Sequence, residues 1–239
     1  MSVQDHIAAL VIAIVLPLLG YYGFQRMVVR VRQGIPIDRT SMYRRTIVTN
    51  WLATGVLAWL WVTADRGAAQ LGLVGSTKPG LYLAAGICIA AVALLLLQLR
   101  SLVRANAAVL QRIAGELGRL RLIVPHTKPE LRLFFLVAIT AGVVEELFWR
   151  GFLFWYLEQS LPRATAAILI TVGFGLAHAY QGWRNVPKIT LVGAAFTLLY
   201  LLSGSLWPSV VLHAAVDIIQ GQTAFEVLRR GGDQTSGHP

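Results

Sequence analysis

Of the 239 residues, 56% are apolar and 13% are charged, with a mean hydropathy of +0.63; an ordinary soluble domain is about 45–50% apolar and about 25% charged. This excludes a disordered chain and a collagen. With Cys88 as the one cysteine, it also excludes an intrachain disulfide scaffold and leaves the redox compartment open. The net charge of +10 would suit nucleic acid or anionic lipid, but position decides between them. The basic residues stand between apolar runs, in one cluster of Arg26, Arg30, Arg32, Arg39, Arg44 and Arg45 and a second of Arg100, Arg104, Arg112, Arg119, Arg121, Lys128 and Arg132. They read as membrane-orienting charge; the lipid bilayer is an expected partner and nucleic acid is not.

Apolar runs approaching the roughly 20 residues needed to cross a bilayer lie near 7–24, 47–64, 81–99, 133–157, 164–180, 189–202 and 206–225. The expected fold class is all-α, a polytopic transmembrane helical bundle of about seven spans, six to eight given uncertain segment ends. The first run reads as a retained anchor, because Asp5 precedes it, Pro17 interrupts it, and Tyr21 and Tyr22 stand where a cleavable signal would carry small residues. Between the third and fourth runs, Leu110, Ile113, Leu117 and Leu120 recur at helical spacing opposite Arg112, Arg119 and Arg121. That pattern fits a basic amphipathic helix on the cytoplasmic leaflet and equally a solvated connecting helix. A polar, frayed tail is expected from Gly231 to Pro239. Across a seven-span ladder, 17 Lys and Arg fall on one side and 3 on the other. The positive-inside rule then puts the N-terminus outside and the C-terminus in the cytoplasm of a multi-pass membrane protein.

The last four runs contain Glu145, Glu146, Arg150, His178, His213 and Asp217. A charge at the centre of a spanning helix costs about 2.5–3.5 kcal/mol on insertion scales, so groups like these are paired, solvated in a cavity, or used. Glu146 and Arg150, Phe174 and His178, and His213 and Asp217 are each four residues apart and share a helix face. With 1.5 Å of rise per residue, Glu145 and His178 can each lie about 16 Å deep and His213 about 14 Å deep, near the midplane. Glu146 with Arg150 also reads as a structural ion pair, a lone His as a packing hydrogen bonder, Phe174 as core, and Trp149, Trp155, Trp183 and Trp207 as interfacial anchors.

In a wet pocket, a carboxylate beside an imidazole deprotonates water, and a second His stabilises the negative oxygen that forms when water attacks a carbonyl. Those are the parts of a peptide-bond hydrolase. No His-Glu zinc-protease motif occurs, and Ser203 and Ser205 lack a nucleophile-elbow setting.

Glu145-Glu146-Leu-Phe-Trp-Arg150-Gly151, Phe174-Gly-Leu-Ala-His178 and His213-Ala-Ala-Val-Asp217 resemble, in order, the E-E-x-x-x-R, F-x-x-x-H and H-x-x-x-(N/D) motifs of the CAAX protease and bacteriocin-processing enzyme family of intramembrane endopeptidases, which includes the type II CAAX prenyl endopeptidases. The approach Ser203-Gly204-Ser205-Leu206-Trp207 is similar too. Hydropathy and charge give an N-terminal part at 1–132 with spans and basic cytoplasmic loops and a polar tail at 227–239. The resemblance, which covers about 133–225 and nothing of the first three spans, implies a four-helix protease core at 133–226. It implies Glu145 as general base, His178 as its partner in holding the water, and His213 with Asp217 as the oxyanion-stabilising pair. Glu146, Arg150 and Phe174 support the site, Arg150 by attracting a substrate carboxylate.

The implied partner is a peptide or protein substrate cut near its C-terminus or beside the membrane, lipid-modified and membrane-anchored substrates included. Asp217 stands where the prenyl-protein branch commonly has Asn. An Asp donates only when protonated, so it either orients His213 or joins Glu145, His178 and His213 around a divalent metal such as zinc. No cofactor is expected on the favoured, metal-free reading. The rivals are a non-enzymatic protein of the same fold, acting in immunity or scaffolding, and a proton-coupled transporter, for which repeated halves are lacking.

Overall fold

The structure is a computed structural model that describes residues 1–77 and 79–232. Over those residues the chain is 84% helical with no strand, which makes it the expected all-α bundle. Helix α1 is Val3–Arg32, α2 Arg39–Thr63, α3 Gly80–Val103 and α4 Ala107–Glu116. Helix α5 occupies 128–158, α-helical over Lys128–Glu146 and Phe154–Glu158 and π-helical over Leu147–Leu153 between them. Helix α6 is Arg163–Ala177, α7 Val186–Ser203 and α8 Trp207–Gly232.

Five of these are long and apolar enough to cross a membrane: α1, α2, α3, and the segments Arg163–Gln181 and Trp183–Ser203 that contain α6 and α7. Helices α5 and α8 occupy the remaining expected spans and fall short on composition, because α5 carries Glu145, Glu146 and Arg150 and α8 carries His213 and Asp217. With the outward faces of α1 to α3 lined by exposed Leu, Ile, Val and Trp, the chain is an integral membrane protein.

Local chemistry sets the helix ends. Thr127 and Glu130 form a capping box at the start of α5, with the Thr127 side chain accepting from the Glu130 N–H and the Glu130 carboxylate accepting from the Thr127 N–H. Asp38 caps α2 by accepting from the Ser41 N–H and hydroxyl, which holds its carboxyl below the usual carboxylate range. Gly204 ends α7 with φ +68°, a left-handed position that glycine fills without strain.

Helix α8 is central: it packs along α5, α3, α7 and α4, while α6 pairs with α7 and α2 leans on α5. Small residues allow close approach. A Cβ on Gly142 of α5 would stand 2.9 Å from the Ala214 Cβ of α8.

Several sequence expectations need correction. Pro17 does not interrupt the first helix, because the chain runs through it after a π-helical turn at Val11–Val15 that absorbs the missing N–H. Asp5 is buried in an ion pair with Arg66, at 2.7 Å. The apolar face of α4 is not laid on a leaflet: Leu110 and Ala114 pack with Val227 of α8. For the same reason residues 227–232 are helix and not tail; residues 233–239 lie outside the described residues. Trp149 is a core residue and not an interfacial anchor. Trp149 is buried against Gly173 and Phe174, and Trp155 packs edge-on against Trp61 at 4.8 Å.

Candidate active site

Glu145 and Glu146 end the α-helical part of α5, and the π-helical stretch begins at the next residue. Such widened turns recur at functional sites. Glu146 and Arg150 meet as their spacing predicts: Arg150 Nη1 donates to Glu146 Oε1 at 2.9 Å, and both side chains have no exposed surface.

Arg150 spends its other nitrogens on helix α7. Nη2 donates to the Gly193 carbonyl at 2.8 Å and Nε to the Thr197 hydroxyl at 3.3 Å. Its guanidinium lies 4.4 Å from the Phe174 ring centroid, a cation–π contact in a desolvated place. Gly193 has to be bare, since a Cβ there would stand 3.2 Å from Arg150 Nη2 and 2.9 Å from the Phe174 ring. An arginine held this way does not present itself to a substrate carboxylate, contrary to the expectation for Arg150.

His213 joins the same carboxylate from α8. Its Nδ1 is 2.8 Å from Glu146 Oε1, which therefore receives two donors, while Glu146 Oε2 is buried with no partner. The His213 ring stacks on Phe196 at 4.8 Å and meets Phe174 edge-on at 5.9 Å. Its other nitrogen, Nε2, faces Asp217 Oδ2 at 3.7 Å, beyond hydrogen-bond reach.

His178 occupies a different place from the one expected. It is not inside a helix but caps α6, its backbone N–H turning to the Gly175 carbonyl at 3.2 Å. The Phe174 carbonyl, left over at the helix end, is met by His178 Nδ1 at 2.8 Å. A carbonyl only accepts, so Nδ1 carries the proton and donates. Nε2 is then directed at Glu145 Oε2, 3.5 Å away, an oxygen buried without a hydrogen-bond partner. The two side chains are 15% and 28% exposed, so this corner is the more open part of the cluster and the Glu146–His213 corner the sealed part.

Two further residues border the site without a signal in the sequence. Tyr180, in the turn after His178, has its ring 5.9 Å from His178 and 5.5 Å from Phe24 of α1, and its hydroxyl accepts from Gln181 Nε2 at 3.1 Å. Thr197 accepts from Arg150 Nε at 3.3 Å. An apolar cavity of about 640 Å³ lies between α1, α5 and α6, lined by Leu10, Ile14, Trp149, Leu153, Gly173 and Ala177 among others.

Among the described residues no three His, Cys, Asp or Glu side chains converge at metal-holding distance.

Residues 127–219 match a family model described as Type II CAAX prenyl endopeptidase Rce1-like. The matched stretch opens at the N-cap of α5 and closes two residues past Asp217, and so encloses Glu145, Glu146, Arg150, Phe174, His178, His213 and Asp217. No curated protein and no solved structure matches the chain.

Proposed function

From the Rce1-like domain that the chain carries over residues 127–219, which at family level supports an intramembrane protease of CAAX type acting on a protein substrate, we propose an endopeptidase in which Glu145 and His178 activate one water. The supporting observation is the unpartnered Glu145 Oε2 standing 3.5 Å from His178 Nε2, with the His178 proton already committed to the Phe174 carbonyl. Two acceptors at that separation suit one water donating a hydrogen to each. Held so, its oxygen attacks the scissile carbonyl as Glu145 takes a proton. Glu145 then delivers that proton to the leaving nitrogen, the C–N bond breaks, and a carboxylic acid and an amine are released.

His213 is the stabiliser of the carbonyl oxygen in its negatively charged state. Its Nδ1–H is held by Glu146, itself neutralised by Arg150, so a protonated ring has Nε2–H free to donate. Asp217 Oδ2 stands 3.7 Å from Nε2. No step is assigned to a metal. The substrate is a C-terminal or membrane-proximal segment, and the charge ladder orients the protein with its N-terminus outside and C-terminus in the cytoplasm.

The test is cleavage by the full chain in lipid nanodiscs, using quenched fluorogenic peptides that end in a farnesylated cysteine plus three residues, and their unlipidated counterparts. Wild type is expected to cleave at least one peptide. Glu145→Gln and His178→Ala are expected to lose about 10²–10⁴-fold in kcat, the usual worth of a positioned acid or base. A folded Glu145→Gln with undiminished cleavage would overturn the assignment.

A further inference from the structure

Helix α7 holds none of the motif residues, yet it lies between the helices that do. Thr197, two turns from its C-terminal end, has a hydroxyl that is fully committed. Its one hydrogen goes to the Gly193 carbonyl at 2.9 Å. Its lone pairs face Arg150 Nε at 3.3 Å and the Thr171 hydroxyl at 3.0 Å. A hydroxyl has one donor and two acceptor positions, so with its hydrogen spent the Thr171 hydroxyl must be the donor to it.

Three helices meet at this atom. Thr171 stands on α6, seven residues ahead of His178. Arg150 stands on α5 and grips Glu146, which grips His213. Thr197 is 4% exposed. Helices α5, α6 and α7 thus share one oxygen beside the residues of both corners.

We propose that Thr197 is a positioning residue for the hydrolytic site: it fixes the Arg150 guanidinium plane, and through Glu146 the direction of His213 Nε2. The proposal rests on the protease reading for its kinetic consequence but not for its geometric one. Replacing Thr197 with Val keeps the shape and removes all three bonds, leaving Arg150 Nε buried without a partner and the half-buried Thr171 hydroxyl without its acceptor. A hydrogen bond to a charged group corresponds to about a ten- to hundredfold effect.

The experiment pairs two readouts on the full chain in nanodiscs. One is the pH profile of kcat, with KM measured alongside, on the farnesylated fluorogenic peptide. The other is the imidazole ¹⁵N spectrum of ¹⁵N-histidine-labelled protein, with His213 assigned by a His213→Asn control. Thr197→Val is expected to lower kcat about ten- to hundredfold, to leave KM within about twofold, to displace the pH profile, and to move the His213 Nδ1 signal. Thr197→Ser, which keeps the hydroxyl, is expected to recover most of the rate and the wild-type His213 signal.

Should Thr197→Val not yield folded protein, Thr171→Val, which withdraws only the donor to Thr197, carries the same comparison with a smaller shift of the same sign. An unmoved His213 signal, with activity falling only in proportion to folded protein and an unchanged pH profile, would overturn the proposal. If wild type cleaves no peptide while the His213 signal still follows Thr197, the protease reading fails and the positioning role stands.

Discussion

Glu146 and Glu145 are chain neighbours with opposite obligations. Glu146 has no exposed surface, and one of its oxygens carries both Arg150 and His213. Removing its charge strands a buried guanidinium, and breaking a buried pair from one side costs about 3–5 kcal/mol. Glu145 is 28% exposed and its Oε2 has no hydrogen-bond partner, with the His178 imidazole 3.5 Å away, so its loss costs the fold little. Glu146→Gln is therefore expected to lower the thermal unfolding temperature sharply, whereas Glu145→Gln keeps wild-type unfolding and loses cleavage. Unfolding in detergent followed by intrinsic fluorescence, beside a cleavage assay, separates the two. Arg150→Lys is expected to resemble Glu146→Gln, because an ammonium cannot reach Glu146, Gly193 and Thr197 with one planar fork.

At the scale of the helix, the i,i+4 pairs were legible in the sequence because a side chain four residues on lies on the same face whatever surrounds it. The two π-helical stretches left no such trace, since the tertiary contacts that pay for the weaker backbone geometry come from other helices. Nor did the end of α6: the apolar run continues through Ala177 and Tyr180, and only the turn at 179–181 shows that His178 is a cap and not mid-helix. Close helix approach yields two predictions. Gly142→Val forces α5 off Ala214 of α8 and so separates Glu146 from His213. A displacement near 1 Å corresponds to about a hundredfold loss of rate, with helical content by circular dichroism unchanged. Asp5→Asn frees Arg66, which is bidentate to Asp5 and lies 4.5 Å from the Trp155 ring centroid. It is expected to destabilise the bundle by about 3 kcal/mol, seen as a lower unfolding temperature, without a change in kcat.

For the molecule as a whole, composition sufficed to identify a membrane-embedded helical bundle, and three motifs in order sufficed to gather its polar groups. What composition hid was that the site's own helices, α5 and α8, are the least membrane-like ones: the groups that make the site lower the hydropathy that would have announced a span. The partner of α4 was hidden too, because a sequence shows an apolar face but not whether lipid or another helix covers it. Single cysteines introduced near Ser2 and Ser236, probed with an impermeant maleimide in right-side-out vesicles after Cys88→Ala, are expected to label at Ser2 only; the reverse pattern would invert the orientation drawn from the 17-to-3 charge count. The most direct test of a shared water is a high-resolution map of the full chain in nanodiscs, with anomalous data to identify any ion. The expected result is one water-sized peak within hydrogen-bond reach of both Glu145 Oε2 and His178 Nε2, lost in Glu145→Ala. A bound metal at that place, or the two side chains turned apart with no solvent between them, would contradict it.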